Sequence, residues 1–331
     1  MANKILCGIM VIILIILVGL VVLFYRPDIN KEGLPQYIKD SSRFLRLPNG
    51  ANMHYRDEGN QDGPVLVMIH GGFGSLQNWE GWVEQLKADY RLISMDLLGH
   101  GLTGSYPANV YDRIAERDAV YQLLQALDIG HFAVAGNSFG GGVALELALQ
   151  YPQQVSRLIL VDSEGIPNSD DGYDASLFSD SEAVSPDSPE FTQLSWFERS
   201  ASQFISKRVI RSVMEQMTFN KSLLTDEYVD YFSEVNRHQG NREAQLLMFR
   251  QGMYLVEKNG PQDLLPRLSE LNMPVLVVNG KQDELVPVSV AEKFHQHINN
   301  SQLAIVDQAG HMPMMEKPKE TAAIIRDFIN D

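Results

Sequence analysis

The chain has 331 residues, enough for one large domain with an inserted subdomain and a terminal appendage. With 42 Asp and Glu against 27 Lys and Arg, its formal net charge of −15 argues against nucleic acid or an anionic membrane surface as the main partner. The single cysteine, Cys7, excludes an intrachain disulfide and a thiolate metal site.

Ile5 to Tyr25 is apolar and uncharged. At the helical rise such a run covers roughly 30 Å, the thickness of a bilayer core, so residues 1–25 are expected to be a membrane anchor. A cleaved signal peptide fits less well, because Phe24-Tyr25-Arg26-Pro27 is not a small-residue cleavage site. Arg26, Lys31, Lys39 and Arg43 after the span favour a cytoplasmic core, whereas a short leader before one span suits export; the side is left open. Residues 26–42 then read as a polar linker.

The core begins at about residue 43. Phe44 to Leu47 and Ala51 to Arg56 alternate apolar and polar residues around Pro48-Asn49-Gly50, a hairpin pattern. Val65 to Ile69 is continuously apolar, as in a strand buried on both faces, and leads through His70-Gly71-Gly72-Phe73-Gly74 to a helix from about Gln77 to Ala88. Tyr90 to Met95 is the next strand, followed by Asp96-Leu97-Leu98-Gly99-His100-Gly101 and a helical stretch from Tyr111 to Leu127. Phe132 to Ala135 feeds Gly136-Asn137-Ser138-Phe139-Gly140, and Phe139 to Tyr151 is helical up to Pro152. Leu158 to Asp162 closes the first half. Strands alternating with helices predict a parallel sheet covered on both faces, with the site at the carboxyl ends of its strands.

The regularity then breaks. Glu164 to Glu190 holds eight acidic residues and no Lys or Arg, which reads as a solvated loop without recognisable metal-ligand spacing. Helical stretches follow at about Trp196 to Met217, Asp226 to Arg237 and Arg242 to Val256, rich in aromatic residues. Residues 164–260 are therefore expected to form a helical layer whose aromatics build its core and line an apolar pocket above the sheet. Alternation resumes at residue 261 with a strand at Val275 to Asn279, a helix at Val288 to His297, a strand at Leu303 to Val306, and a closing helix at Lys317 to Ile329.

Gly-x-Ser-x-Gly between a strand and a helix is the pattern of a nucleophile elbow, with Ser138 at the apex. A serine hydroxyl needs a base, and the base needs an acid to orient it. His311, in the loop after the last strand, is the expected base, and Asp283, at loop distance after Val275–Asn279, the expected acid. Asp162, at the end of an earlier strand, is the rival acid, and Glu284 points elsewhere. His70 and His100 read as turn residues that satisfy backbone groups, and His295 and His297, two apart on a helix, make a weak metal pair. The oxyanion donors are expected at the Phe139 amide and at either Gly72 or Phe73.

These residues together resemble the α/β-hydrolase superfamily. The resemblance rests on His70-Gly71-Gly72-Phe73, Asp96 to Gly101, Gly136 to Gly141, Gly280 with Asp283 and Pro287, and Gly310-His311-Met312-Pro313. It implies an α/β fold with an eight-stranded, mostly parallel sheet, a core of residues 43–163 and 261–331, and a cap at 164–260 inserted after the sixth strand. It also implies a Ser138–Asp283–His311 triad acting without cofactor or metal. Serine at the apex is unlike the aspartate of epoxide hydrolases and haloalkane dehalogenases. The elbow is similar to that of hydrolases cleaving carbon–carbon bonds of ring-fission products, although Phe73-Gly74-Ser75 stands where those enzymes usually carry Gly-Pro-Gly. The anchored layout looks like that of membrane lipases. The expected activity is hydrolysis of a carboxylic ester of lipid or acyl type. Carbon–carbon or lactone hydrolysis with the same triad, and a non-catalytic binding member of the fold, are the alternatives.

Overall fold

Val65–Ile69 and Phe132–Asn137 are apolar at nearly every position because helices cover both of their faces. In the computed structural model, which describes residues 24–166, 188–257 and 263–331, they are β3 and β5 of one eight-stranded sheet. The other strands are β1 (Ser42–Arg46), β2 (Asn52–Gly59), β4 (Arg91–Met95), β6 (Val155–Val161), β7 (Val275–Gly280) and β8 (Ser301–Val306). Their spatial order is β1-β2-β4-β3-β5-β6-β7-β8. Only β2 runs antiparallel to its neighbours. All other pairs are parallel, so the loops after β3 to β8 emerge along one edge.

Alternate residues of each strand serve opposite layers. Leu66, Met68, Leu276 and Val278 pack with Trp82 and Leu86 of α1 (Glu80–Leu86) and with Ile325 and Phe328 of the closing helix, Pro318–Asn330. Trp82 Nε1 donates to Thr321 Oγ1 at 2.7 Å, so the indole is buried without an orphaned donor. On the other face, Val67, Ile69, Val134 and Leu160 meet three helices: α2 (Arg113–Ala126), α3 (Phe139–Gln150) and α8 (Val288–His297). The helix expected over Gln77–Ala88 divides. Ser75 and Asn78 form a capping box around a 3-10 turn at Leu76–Trp79, and α1 starts only after it.

Between β6 and β7 lie α4 (Trp196–Ser202), α5 (Lys207–Met217), α6 (Asp226–Val235) and α7 (Asn241–Glu257). The single stretch expected over Trp196–Met217 is two helices, because Ser206 caps a new one with its side chain on the Val209 amide. This layer has a small core of its own, including Met214, Val229, Tyr231, Phe232 and Val235.

The polar linker expected over residues 26–42 is a strap bound to that layer. Leu34 is fully buried, Tyr37 meets the Tyr231 ring edge-on at 4.9 Å, and Tyr37 Oη donates to Glu234 Oε2 at 2.8 Å. Two apolar side chains decide the path of a mostly polar segment. Of the anchor expected over residues 1–25, residues 1–23 lie outside the described residues, as do residues 167–187 of the acidic loop. Among the described residues, no helix is long and apolar enough to cross a membrane.

Candidate active site

β5 ends at Asn137 and α3 starts at Phe139, so one residue makes the turn. Ser138 takes φ 52° and ψ −123°, a conformation that costs a non-glycine residue about 1–3 kcal/mol and leaves its side chain clear of the sheet. The flanking glycines are needed for close approach. A Cβ on Gly136 would lie 2.1 Å from the Gly140 carbonyl oxygen, and one on Gly140 would lie 2.3 Å from that of His70.

His311 Nδ1 lies 2.7 Å from Asp283 Oδ2, and both side chains are buried. The other Asp283 oxygen accepts the Leu285 and Val286 amides at 2.8 and 3.1 Å, so the carboxylate is held by backbone on one side and by the imidazole on the other. The histidine loop is tied to the elbow, because Asn137 Nδ2 donates to both the Val161 and His311 carbonyls at 3.1 Å. It is also tied to the cap, through His311 N–H and the Met217 carbonyl at 2.8 Å. Buried Glu316 accepts the Gly310 and Asn220 amides at 2.8 and 2.7 Å and completes the clamp.

Asp162 stands beside this pair and does not replace Asp283 in it. Its Oδ1 accepts the Gly280 amide at 2.8 Å, while Oδ2 is buried with no donor in reach. Burial, and next the negative Asp283, push the Asp162 carboxyl well above the usual carboxylate range. An oxygen with no donor, buried beside a second carboxylate, is the physical cause of that rise. Asp162, Asp283 and His311 bring ligand-type atoms within 4.8 Å of one another, and within this group His311 and Asp283 are joined by a 2.7 Å hydrogen bond that orients the imidazole.

The glycine loop after β3 lies against the elbow, and a Cβ on Gly71 would sit 3.0 Å from Ser138 Cβ. The two expected donors in this loop differ. Phe73 N–H already donates to His100 Nε2 at 3.2 Å, whereas the Gly72 amide has no acceptor among the described residues. Phe139 N–H is the first amide of α3 and has no intrahelical acceptor, at the positive end of the helix.

His70 and His100 serve the backbone, as the sequence indicated. His70 Nδ1 donates to the Gly71 carbonyl at 2.7 Å, and its Nε2 accepts the Leu97 amide at 3.0 Å. His100 Nδ1 donates to the Leu98 carbonyl at 2.9 Å. Burial lowers the pKa of both rings, that of His100 to about 3, so both are neutral braces. His295 and His297 are exposed and bond separately to Ser301 Oγ and the Lys293 carbonyl. The loop and α7 also bring apolar groups to the site: the Phe73 and Phe249 rings lie 5.5 Å apart, and Met248 faces Gly72.

Three contributors escaped the sequence reading: Asn137, Glu316 and the His100 contact to Phe73. Asn137 lay inside the elbow motif as the last, inward-facing strand residue. Glu316 and His100 act through loops whose paths no periodicity describes.

This is the framework of an α/β hydrolase. The alpha/beta hydrolase fold family matches residues 64–318, and the chain belongs to it. Over 271 residues it is 27% identical to the 2-hydroxymuconate semialdehyde hydrolase of a Pseudomonas species, covering 80% of this chain and 86% of that one. Over 307 residues it is 27% identical to Lipase 1 of Psychrobacter immobilis, covering 90% and 88%. In structure it is similar to a bacterial membrane phospholipase A, at a TM-score of 0.72, 21% identity and coverage of 99% and 98%, which is a likeness of fold.

Proposed function

We propose that the chain is a membrane-anchored serine hydrolase that cleaves carboxylic esters of lipid or acyl type. The observation that carries this reading is the 2.7 Å contact of His311 Nδ1 with Asp283 beside the strained Ser138 elbow. With its Nδ1 proton held by Asp283, His311 presents a free Nε2 lone pair. Ser138 Oγ attacks the ester carbonyl carbon and passes its proton to that nitrogen. The carbonyl electron pair moves to oxygen, where the Phe139 and Gly72 amides receive the charge. Gly72 is preferred to Phe73, whose N–H is already used by His100. The imidazolium then protonates the departing alkoxide as the C–O bond breaks. Water, deprotonated by His311, attacks the acyl-enzyme carbonyl; the acyl–Oγ bond then breaks, His311 returns the proton to Ser138 Oγ, and the acid leaves. Asp283 orients the imidazole throughout, and no cofactor takes part in these bond changes.

The apolar Phe73–Phe249 pair beside the donor loop, the uncharged run before Phe24 and the Psychrobacter lipase relative support a lipid or acyl substrate. Residues 1–25 serve as the anchor, 43–163 with 261–331 as the catalytic core, and 164–260 as the cap. The test is labelling by a fluorophosphonate probe together with ester turnover. Ser138→Ala is expected to abolish both at an unchanged urea midpoint, and full turnover in that variant would overturn the proposal.

A second reading, hydrolysis of a carbon–carbon bond or a lactone with the same triad, draws support from the elbow sequence and from the 2-hydroxymuconate semialdehyde hydrolase relative. Turnover of p-nitrophenyl esters of graded chain length against a vinylogous diketone separates the two.

A further inference from the structure

The outer surface of the cap exposes large apolar groups beside the point where the chain enters the domain. Trp196 and Phe197 open α4 at 80% and 70% exposure, and Phe204 just beyond it is also exposed. Phe197 and Ala201, four residues apart, share one side of α4, and Phe204 follows in the next turn, its amide donating to the Ala201 carbonyl at 3.0 Å. The charged residues of α4 are paired, Glu198 with Arg250 and Arg199 with Glu243. Phe24 and Tyr25, also exposed, reach the same surface from the other end of the chain, and the Tyr25 ring meets Phe204 edge-on at 5.9 Å.

The chain is clasped where it arrives. Arg26 N–H donates to the Gln203 carbonyl and Ile29 N–H to the Arg237 carbonyl, each at 2.7 Å, and Gln239 N–H donates to the Ile29 carbonyl at 3.0 Å. Buried Arg242 pairs with Asp28 and donates to the Ser202 carbonyl at 3.1 Å and to Gln203 Oε1 at 2.7 Å. Residues 5–23, which run directly into Phe24, contain no charged side chain.

Single exposed apolar residues need no explanation, but a cluster of Trp, Tyr and Phe fixed beside an uncharged run of this length matches what the headgroup region of a bilayer selects. We infer that the outer face of α4, with Phe24 and Tyr25, rests in the interfacial layer of a lipid bilayer, so that the cap is the face of the domain that meets the membrane. This rests on the anchored reading above and adds to it the orientation of the domain. With a net charge of −15 on the chain, apolar contact must supply the attraction, so a zwitterionic surface suffices.

The protein carries its own reporter. Of its three tryptophans, Trp79 and Trp82 are 0% exposed and Trp196 is 80% exposed. The full chain is reconstituted into phosphatidylcholine vesicles, with and without lipids bearing a nitroxide near the headgroup end of the acyl chain. Flotation reads the anchor, and the emission that disappears in Trp196→Phe reads the cap. The expected result is that the chain floats, that most of the Trp196 emission is quenched by the nitroxide lipid, and that aqueous acrylamide loses access to it. A chain that floats while Trp196 stays open to acrylamide and unquenched by lipid overturns the orientation and leaves the anchor standing. A chain that neither floats nor shows quenching overturns both. Trp196 emission that shifts with protein concentration and ignores the nitroxide assigns the face to a second copy of the chain, which also overturns the inference.

Discussion

Asp283 at the sheet edge and Trp196 on the cap show two ways in which this fold uses a side chain. Asp283 follows a parallel strand, is buried, and has each carboxylate oxygen engaged by the imidazole or by backbone amides. Its position is imposed by a sheet whose register leaves one arrangement. Trp196 lies on a short helix of a separate layer with a small core, and nothing among the described residues covers it. The sheet therefore holds the Asp283–His311 pair in one place, while the cap presents an apolar side chain outward.

That contrast can be broken at the sheet edge first. Asp283→Asn is expected to lower kcat about 10,000-fold, because the amide no longer holds the required tautomer. Asp162→Asn, which keeps the side chain's shape and an oxygen for the Gly280 amide, is expected to stay within about ten-fold; equal losses in stopped-flow acylation would show that Asp162 orients the base. Next in size is Gly140→Ala. Its Cβ would lie 2.3 Å from a backbone oxygen that cannot move, so a loss of about 3 kcal/mol in urea unfolding is expected, whereas alanine at an exposed cap residue such as Phe204 should cost far less.

His100→Ala leaves the Phe73 amide without its acceptor and is expected to cost about 1–3 kcal/mol at pH 7. The folded ring binds no proton until about pH 3, whereas an unperturbed histidine does so near 6.5. Its contribution is thus complete above 6.5 and is lost as pH falls from there towards 3, so the gap between wild type and variant should narrow with acidity. A constant gap from pH 7 to 4 would remove the neutral-brace role. The smallest effect is expected in the cap: Phe249→Ala should raise KM for long acyl chains roughly ten-fold, as for a partly buried aromatic contact, with little change for acetate esters.

The sequence makes the sheet legible because strands buried on both faces are written as unbroken apolar runs, and those runs locate the loops in which Ser138, Asp283 and His311 lie. It leaves the oxyanion donor open, since Gly72 and Phe73 differ only through a contact made by His100 from another loop. The strap is illegible for a related reason. Its polar composition describes most of its residues, but Leu34 and Tyr37 decide where it lies, and no period marks two residues. Ser206 breaks the cap helix within a stretch that remains amphipathic on either side, which hides the break.

The hydrogen bond from Asn137 to the His311 carbonyl joins residues 174 apart in the chain, and the Gly280 amide reaches back 118 residues to Asp162. Closing the longer of these loops costs about 4–5 kcal/mol of chain entropy, recovered only once β7 and β8 have docked. Contacts of such span slow folding and place completion of the site among its late events. During synthesis the elbow, the glycine loop and the cap all emerge before the base that would activate them. On the proposed mechanism, catalytic competence is thus a property of the finished chain, and a premature stop before His311 is expected to yield a product that is inert rather than partly active.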